Sequence, residues 1–102
     1  MLVLVAAFPL YRLGEPSRRE AARRAMHAES MAMGAETFAR HCVACHGADG
    51  RGGSIAPTLN SREFLRVTSD QQLVWLIAGG VPGTTMTAYA MDLGGPFTPQ
   101  EI

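Results

Sequence analysis

Lysine is absent: all nine basic residues among the 102 are arginines, and nine acidic residues bring the formal net charge to zero. A chain with no basic surplus lacks the electrostatic footprint of a general nucleic-acid binder, so no nucleic-acid partner is expected. Any docking face must rely on guanidinium groups or apolar contact. Strand-like alternation of useful length is also missing, as is any internal repeat, and the fold class reads as all-α. No apolar run reaches the ~20 residues that a membrane-crossing helix needs. Cysteine is scarce: Cys42 and Cys45 are the only two. They close too short a loop to staple a fold, so the pair is expected to be redox-active, metal-bound or modified.

The first ten residues, MLVLVAAFPL, are almost purely apolar. No basic residue precedes the run and no clean small-x-small site follows it, which argues against a secretory signal. Residues 1–12 therefore read as an apolar, membrane-anchor-like segment, part of a membrane helix with Tyr11 and Arg12 at the interface. A short segment packed on a partner subunit is the other reading. Glu15-Pro16-Ser17 reads as a break followed by a helix start. Residues 13–33, rich in Ala, Arg, Glu and Met, form the expected helical spacer.

The pattern changes at Gly34, where a domain spanning 34–102 is expected. A helix over 35–44 carries Phe38 and leads into the cysteines. Gly47, Gly50, Gly52, Gly53 and Pro57 mark a long loop. Ser69 with Gln72 three residues on matches a capping box. Leu73, Val74, Trp75, Leu76 and Ile77 supply the buried face of the helix that follows, and Gly79-Gly80 ends it. A further loop covers 81–97. Thr98-Pro99-Gln100-Glu101 then starts a helix that the sequence leaves incomplete.

Chemistry concentrates in Cys42-Val43-Ala44-Cys45-His46. Residues three and four apart share one side of a helical turn. Two thiols so placed reach the two vinyl groups along one edge of a porphyrin, and the next residue projects an imidazole under the iron. C-x-x-C-H is thus a specific signal for covalent attachment of haem c. Zinc would want a second ligand pair, and His27 and His41 provide none. A thioredoxin-like dithiol would sit in an α/β pattern, which this sequence lacks.

With these residues in view, the stretch from Gly34 to Ile102 resembles the class I cytochrome c family. Gly34 and Phe38 match first-helix positions that pack on that family's last helix. Pro57-Thr58-Leu59 resembles the segment whose proline carbonyl accepts a hydrogen bond from the proximal histidine and whose leucine packs on the ring. Gly83-Thr84-Thr85-Met86-Thr87-Ala88-Tyr89 is similar to the loop whose methionine is the sixth iron ligand. Thr87 stands where the family has Pro, and Tyr89 where it has Phe or Trp.

The resemblance implies a cytochrome c-like domain wrapped around one haem. Its cofactor-binding residues would be Cys42, Cys45, His46, Pro57, Leu59, Trp75, Met86 and Tyr89, with His46 and Met86 as the metal ligands. Leu65, Val67 and Leu76 would join the apolar wall, and Trp75, Tyr89, Arg51 or Arg62 could bind a propionate. Met26, Met31 and Met33 read as packing residues, and Met91 lacks the ligand context. Iron with both axial positions filled offers no open site, which implies an electron carrier rather than an enzyme. The expected setting is a bacterial membrane, with the haem domain on the periplasmic side. There it would serve as a subunit of a respiratory or photosynthetic electron-transfer complex, with redox proteins or other subunits as partners. A freely diffusing carrier and a haem-based sensor are the alternatives.

Overall fold

The computed structural model describes residues 2–102; Met1, which opens the expected apolar segment, lies outside the described residues. The chain divides into two compact units, Met1–Glu36 and Thr37–Ile102.

Helix α1, Leu2–His41, supplies all the described residues of the first unit and continues into the sequence of the second. It buries none of its residues, so local interactions must account for it. Glu15 pairs with Arg18 and Arg19 at 3.3 and 2.9 Å, and Glu20 with Arg23 and Arg24 at 3.7 and 3.5 Å. Acid N-terminal to base at three- and four-residue spacing is the favourable order on a helix. Arg19, and then Arg18, hold the Glu15 carboxyl below its usual range.

Two expectations need correction here. Pro16 does not break the chain: α1 runs through both Pro9 and Pro16. Each proline withholds one helical hydrogen bond, and the Arg18 guanidinium donates to the Tyr11 carbonyl at 2.8 Å close to the second of them. The membrane-anchor-like reading of 1–12 is overturned as well. Charge returns at Arg12 and Glu15, and among the described residues no helix is long and apolar enough to cross a membrane.

The second unit contains α2 (Val43–His46), α3 (Arg62–Val67), α4 (Asp70–Gly79) and a single 3-10 turn, Met91–Leu93. Ser69 caps α4: its hydroxyl accepts from the Gln72 N–H at 3.2 Å, while the Gln72 side chain accepts from the Ser69 N–H at 2.8 Å. Ser61 likewise accepts from the Phe64 N–H and starts α3, a helix the sequence reading passed over. Thr98–Glu101 forms a turn in which the Glu101 carboxylate accepts from both the Thr98 N–H and its hydroxyl.

The extended pairing among the described residues is an isolated bridge, Ala90 to Phe97, so the all-α reading holds. Ala90 and Phe97 are also the buried apolar residues. Phe97 stacks on Tyr89 with ring centroids 5.2 Å apart and takes the edge of His41 at 4.8 Å. Ile55, Leu59, Phe64, Leu73, Leu76, Ile77 and Val81 face a cavity.

Candidate haem site

The cavity measures about 360 Å³, within the range of pockets that enclose a sizeable organic group. Its floor is made where α1 ends and α2 begins: His41, Cys42, Cys45 and His46 all line it. α1 stops at His41, Cys42 takes up a turn, and α2 follows for one turn. The Cys45 and His46 N–H groups both point back to the Cys42 carbonyl, at 3.2 and 2.9 Å. Cys42 is half-buried and Cys45 exposed, and the two are not bonded to each other. Burial, and then the neighbouring Cys45, push the Cys42 thiol above its ordinary pKa.

A second wall comes from the loop beyond α2. Gly52 has φ +78°, and a Cβ there would sit 2.7 Å from the backbone of Ala56, Pro57 and Thr58. Only glycine allows that approach. It brings the Pro57 carbonyl 3.2 Å from Nδ1 of His46. A carbonyl can only accept, so this contact calls for the hydrogen on Nδ1, the tautomer that leaves Nε2 to a metal.

α3 and α4 close the apolar side with Phe64, Leu73, Leu76 and Ile77. These α4 positions follow the i, i+3, i+4 rule. Trp75 falls off that face: it is 66% exposed and does not line the cavity. Leu65 and Val67 are also exposed and lie outside it. The periodicity that separates Leu73, Leu76 and Ile77 from Trp75 is readable in the sequence, but the five-residue apolar run was taken whole.

The loop after α4 delivers Met86 and Tyr89 to the cavity. Its N–H groups find the last carbonyls of α4, Tyr89 bonding Ile77 at 3.1 Å and Ala90 bonding Ala78 at 3.2 Å. The Tyr89 hydroxyl donates to the His41 carbonyl at 3.3 Å. Burial foremost, with Cys42 and Cys45 nearby, raises its phenol pKa. The structure therefore brings together seven of the eight expected cofactor residues, Cys42, Cys45, His46, Pro57, Leu59, Met86 and Tyr89, and leaves Trp75 outside.

Other expectations place differently. Arg51 pairs with Asp49 at 3.3 Å, and neither Arg51 nor Arg62 lines the cavity. Met26, Met31, Met33 and Met91 are all exposed rather than packed. Gly34 has open space around it, and Phe38 lies near Gly50.

The donor set fits a haem better than a bare ion. Among the described residues no three His, Cys, Asp or Glu side chains are placed to hold a metal. Two thiols, the imidazoles of His41 and His46 and one thioether instead surround an apolar space, and the C-x-x-C-H spacing matches the haem c attachment motif.

Comparison with known proteins places the chain in a family. Residues 29–96 match the family model for cytochrome c oxidase, cbb3-type, subunit III. The cbb3-type cytochrome c oxidase subunit CcoP of Rubrivivax gelatinosus is 35% identical over 68 residues, covering 67% of this chain and 22% of that protein. The chain thus matches about a fifth of the length of that curated relative. No solved structure matches. A family match over two thirds of the chain, on a cavity framed by C-x-x-C-H, identifies the chain as a member of the cbb3-type cytochrome c oxidase subunit III family, with a c-type cytochrome domain.

Proposed function

We propose that residues 34–102 form a haem-bearing domain that holds one haem c and passes single electrons within a respiratory oxidase complex. The observation that carries this reading is the convergence of Cys42, Cys45, His46 and Met86 on one apolar cavity. Cys42 and Cys45 would hold the group through thioethers. His46, its tautomer set by Pro57, and Met86 would supply the two axial ligands. When bound, haem supplies a ferrous–ferric couple, and a methionine ligand opposite histidine raises its potential.

Leu59, Phe64 and the α4 face exclude water from the cavity. With His46 and Met86 both holding the iron, the domain would offer no open coordination site for a substrate. The chain is an electron-transfer component and not itself an enzyme. Its partners are redox proteins or other subunits of the oxidase complex. Covalent haem attachment in bacteria takes place outside the cytoplasm, as the c-type resemblance implies, so we assign the haem-bearing domain to the outer face of a bacterial membrane complex.

The test is spectroscopic and covalent. The purified chain should keep its haem through denaturation, and Cys42→Ala with Cys45→Ala should release it. The oxidised protein should show the weak near-red band of iron bound by methionine sulfur, and Met86→Ala should abolish that band. A colourless polypeptide with both thiols open to alkylation would sink the proposal.

A further inference from the structure

Met86 sits on a loop of irregular backbone, yet a ligand to iron must be held to a fraction of an ångström. What fixes it is visible in two contacts. Thr84 bridges the loop with one hydroxyl: Oγ1 donates to the Val81 carbonyl at 2.7 Å and accepts from the Met86 N–H at 3.2 Å. The Val81 N–H closes the same ring onto the Met86 carbonyl at 3.0 Å. Met86 therefore has both of its backbone polar groups tied within six residues.

Gly80 anchors this ring to α4. It has φ +69° and ψ −175°, a region open essentially to glycine alone. A Cβ there would lie 2.6 Å from the Thr87 carbonyl carbon and 2.7 Å from both the Ala88 nitrogen and the Met86 oxygen. These are backbone atoms, so the Met86–Ala88 segment itself would have to move. Gly79, one residue earlier, has open space around it.

We propose that Thr84 and Gly80 are positioning residues for Met86: together they form a latch that holds its sulfur at the cavity. This rests on the reading of Met86 as an iron ligand. Thr84 acts through its hydroxyl, not its volume, and Gly80 acts by leaving room for the backbone beside it.

The experiment uses the holoprotein, with haem content equalised by pyridine haemochrome. Two readouts are taken: the near-red sulfur band of the oxidised form, and carbon monoxide affinity of the reduced form. Thr84→Ser keeps the hydroxyl and should match the parent. Thr84→Val keeps the volume and should weaken the sulfur hold, raising carbon monoxide affinity roughly fivefold, as expected for one lost neutral hydrogen bond. Gly80→Ala should lose the band, while Gly79→Ala should keep it.

The latch is overturned if Thr84→Val behaves as the parent, or if Gly80→Ala retains the full band. Should Gly80→Ala yield no haem protein, the Thr84 pair decides. A parent without the band, or a Met86→Ala variant that keeps it, overturns the ligand assignment and the latch with it. Failure of the ligand reading is thus told apart from failure of the latch alone.

Discussion

Cys42 and Cys45 are three residues apart in sequence and unequal in chemistry. Burial raises the Cys42 thiol pKa, whereas Cys45 is exposed. At a given pH Cys42 then carries less thiolate, which is the reactive form. In haem-free protein at mildly alkaline pH, iodoacetamide should modify Cys45 before Cys42, as peptide mass mapping will report; equal rates would contradict the burial difference. A second prediction concerns Gly52, whose φ of +78° and backbone contacts exclude a side chain. Gly52→Ala should destabilise the domain by more than about 1 kcal/mol, measured by denaturant unfolding. At this scale the sequence was partly transparent. Cys42, Cys45 and His46 are contiguous, so their chemistry is written in local spacing. Pro57 and Met86 lie 11 and 40 positions beyond His46, and only a family resemblance suggested them. Gly52 and Gly80 looked like ordinary loop and helix-end glycines, because what crowds them is backbone brought in from elsewhere in the chain.

Among the elements, α4 was legible as a whole and α1 only in pieces, over 17–33 and from 35 to its end. A cap, an apolar run and a terminal glycine pair define α4 from local rules alone, and the capping box forms as expected. Ser69→Ala should therefore cost about 1 kcal/mol, visible as a lower thermal midpoint. α1 defeats the same rules, because two prolines and an apolar start mimic a break and an anchor. Its helix persists through arginine–glutamate pairs, of which those from Glu15 to Arg18 and Arg19 span the expected break.

The turn at Thr98–Glu101 gives a pH prediction. The Thr98 backbone N–H, then its hydroxyl, lower the Glu101 pKa from its ordinary 4.5. A lowered folded-state pKa means stability that is present above the unfolded value and lost as pH falls through the folded one. Comparing thermal midpoints of the parent and Glu101→Gln should show a constant gap above about pH 5 that closes on further acidification. A gap that widened in acid would contradict the hydrogen-bonded turn. The exposure of this carboxylate keeps the effect small.

At the level of the whole molecule, the second unit is organised around its cavity more than around a packed centre. Ala90 and Phe97 are its buried apolar residues, whereas Leu59, Phe64, Leu73, Leu76, Ile77 and Val81 face the cavity. Covering a large apolar side chain is worth about 1.5–3 kcal/mol. Six such side chains together rival the 5–15 kcal/mol that stabilises a whole domain. Removing the cofactor is therefore expected to lower the thermal midpoint of the domain. The length of the chain already implies that a large guest packed inside it would matter to stability, but not which side chains face it, since apolar residues look the same in a string whether they touch each other or a common guest.

Trp75, turned outward from the cavity on the helix that helps to wall it, has an optical consequence. It is the only indole in the chain, and a porphyrin on the far side of α4 would drain its excited state by energy transfer. Its fluorescence should be dim in the native holoprotein and brighten as α4 melts away from the chromophore, following the same denaturant curve as the Soret absorbance. A bright native signal would mean that no absorbing ring lies behind that helix.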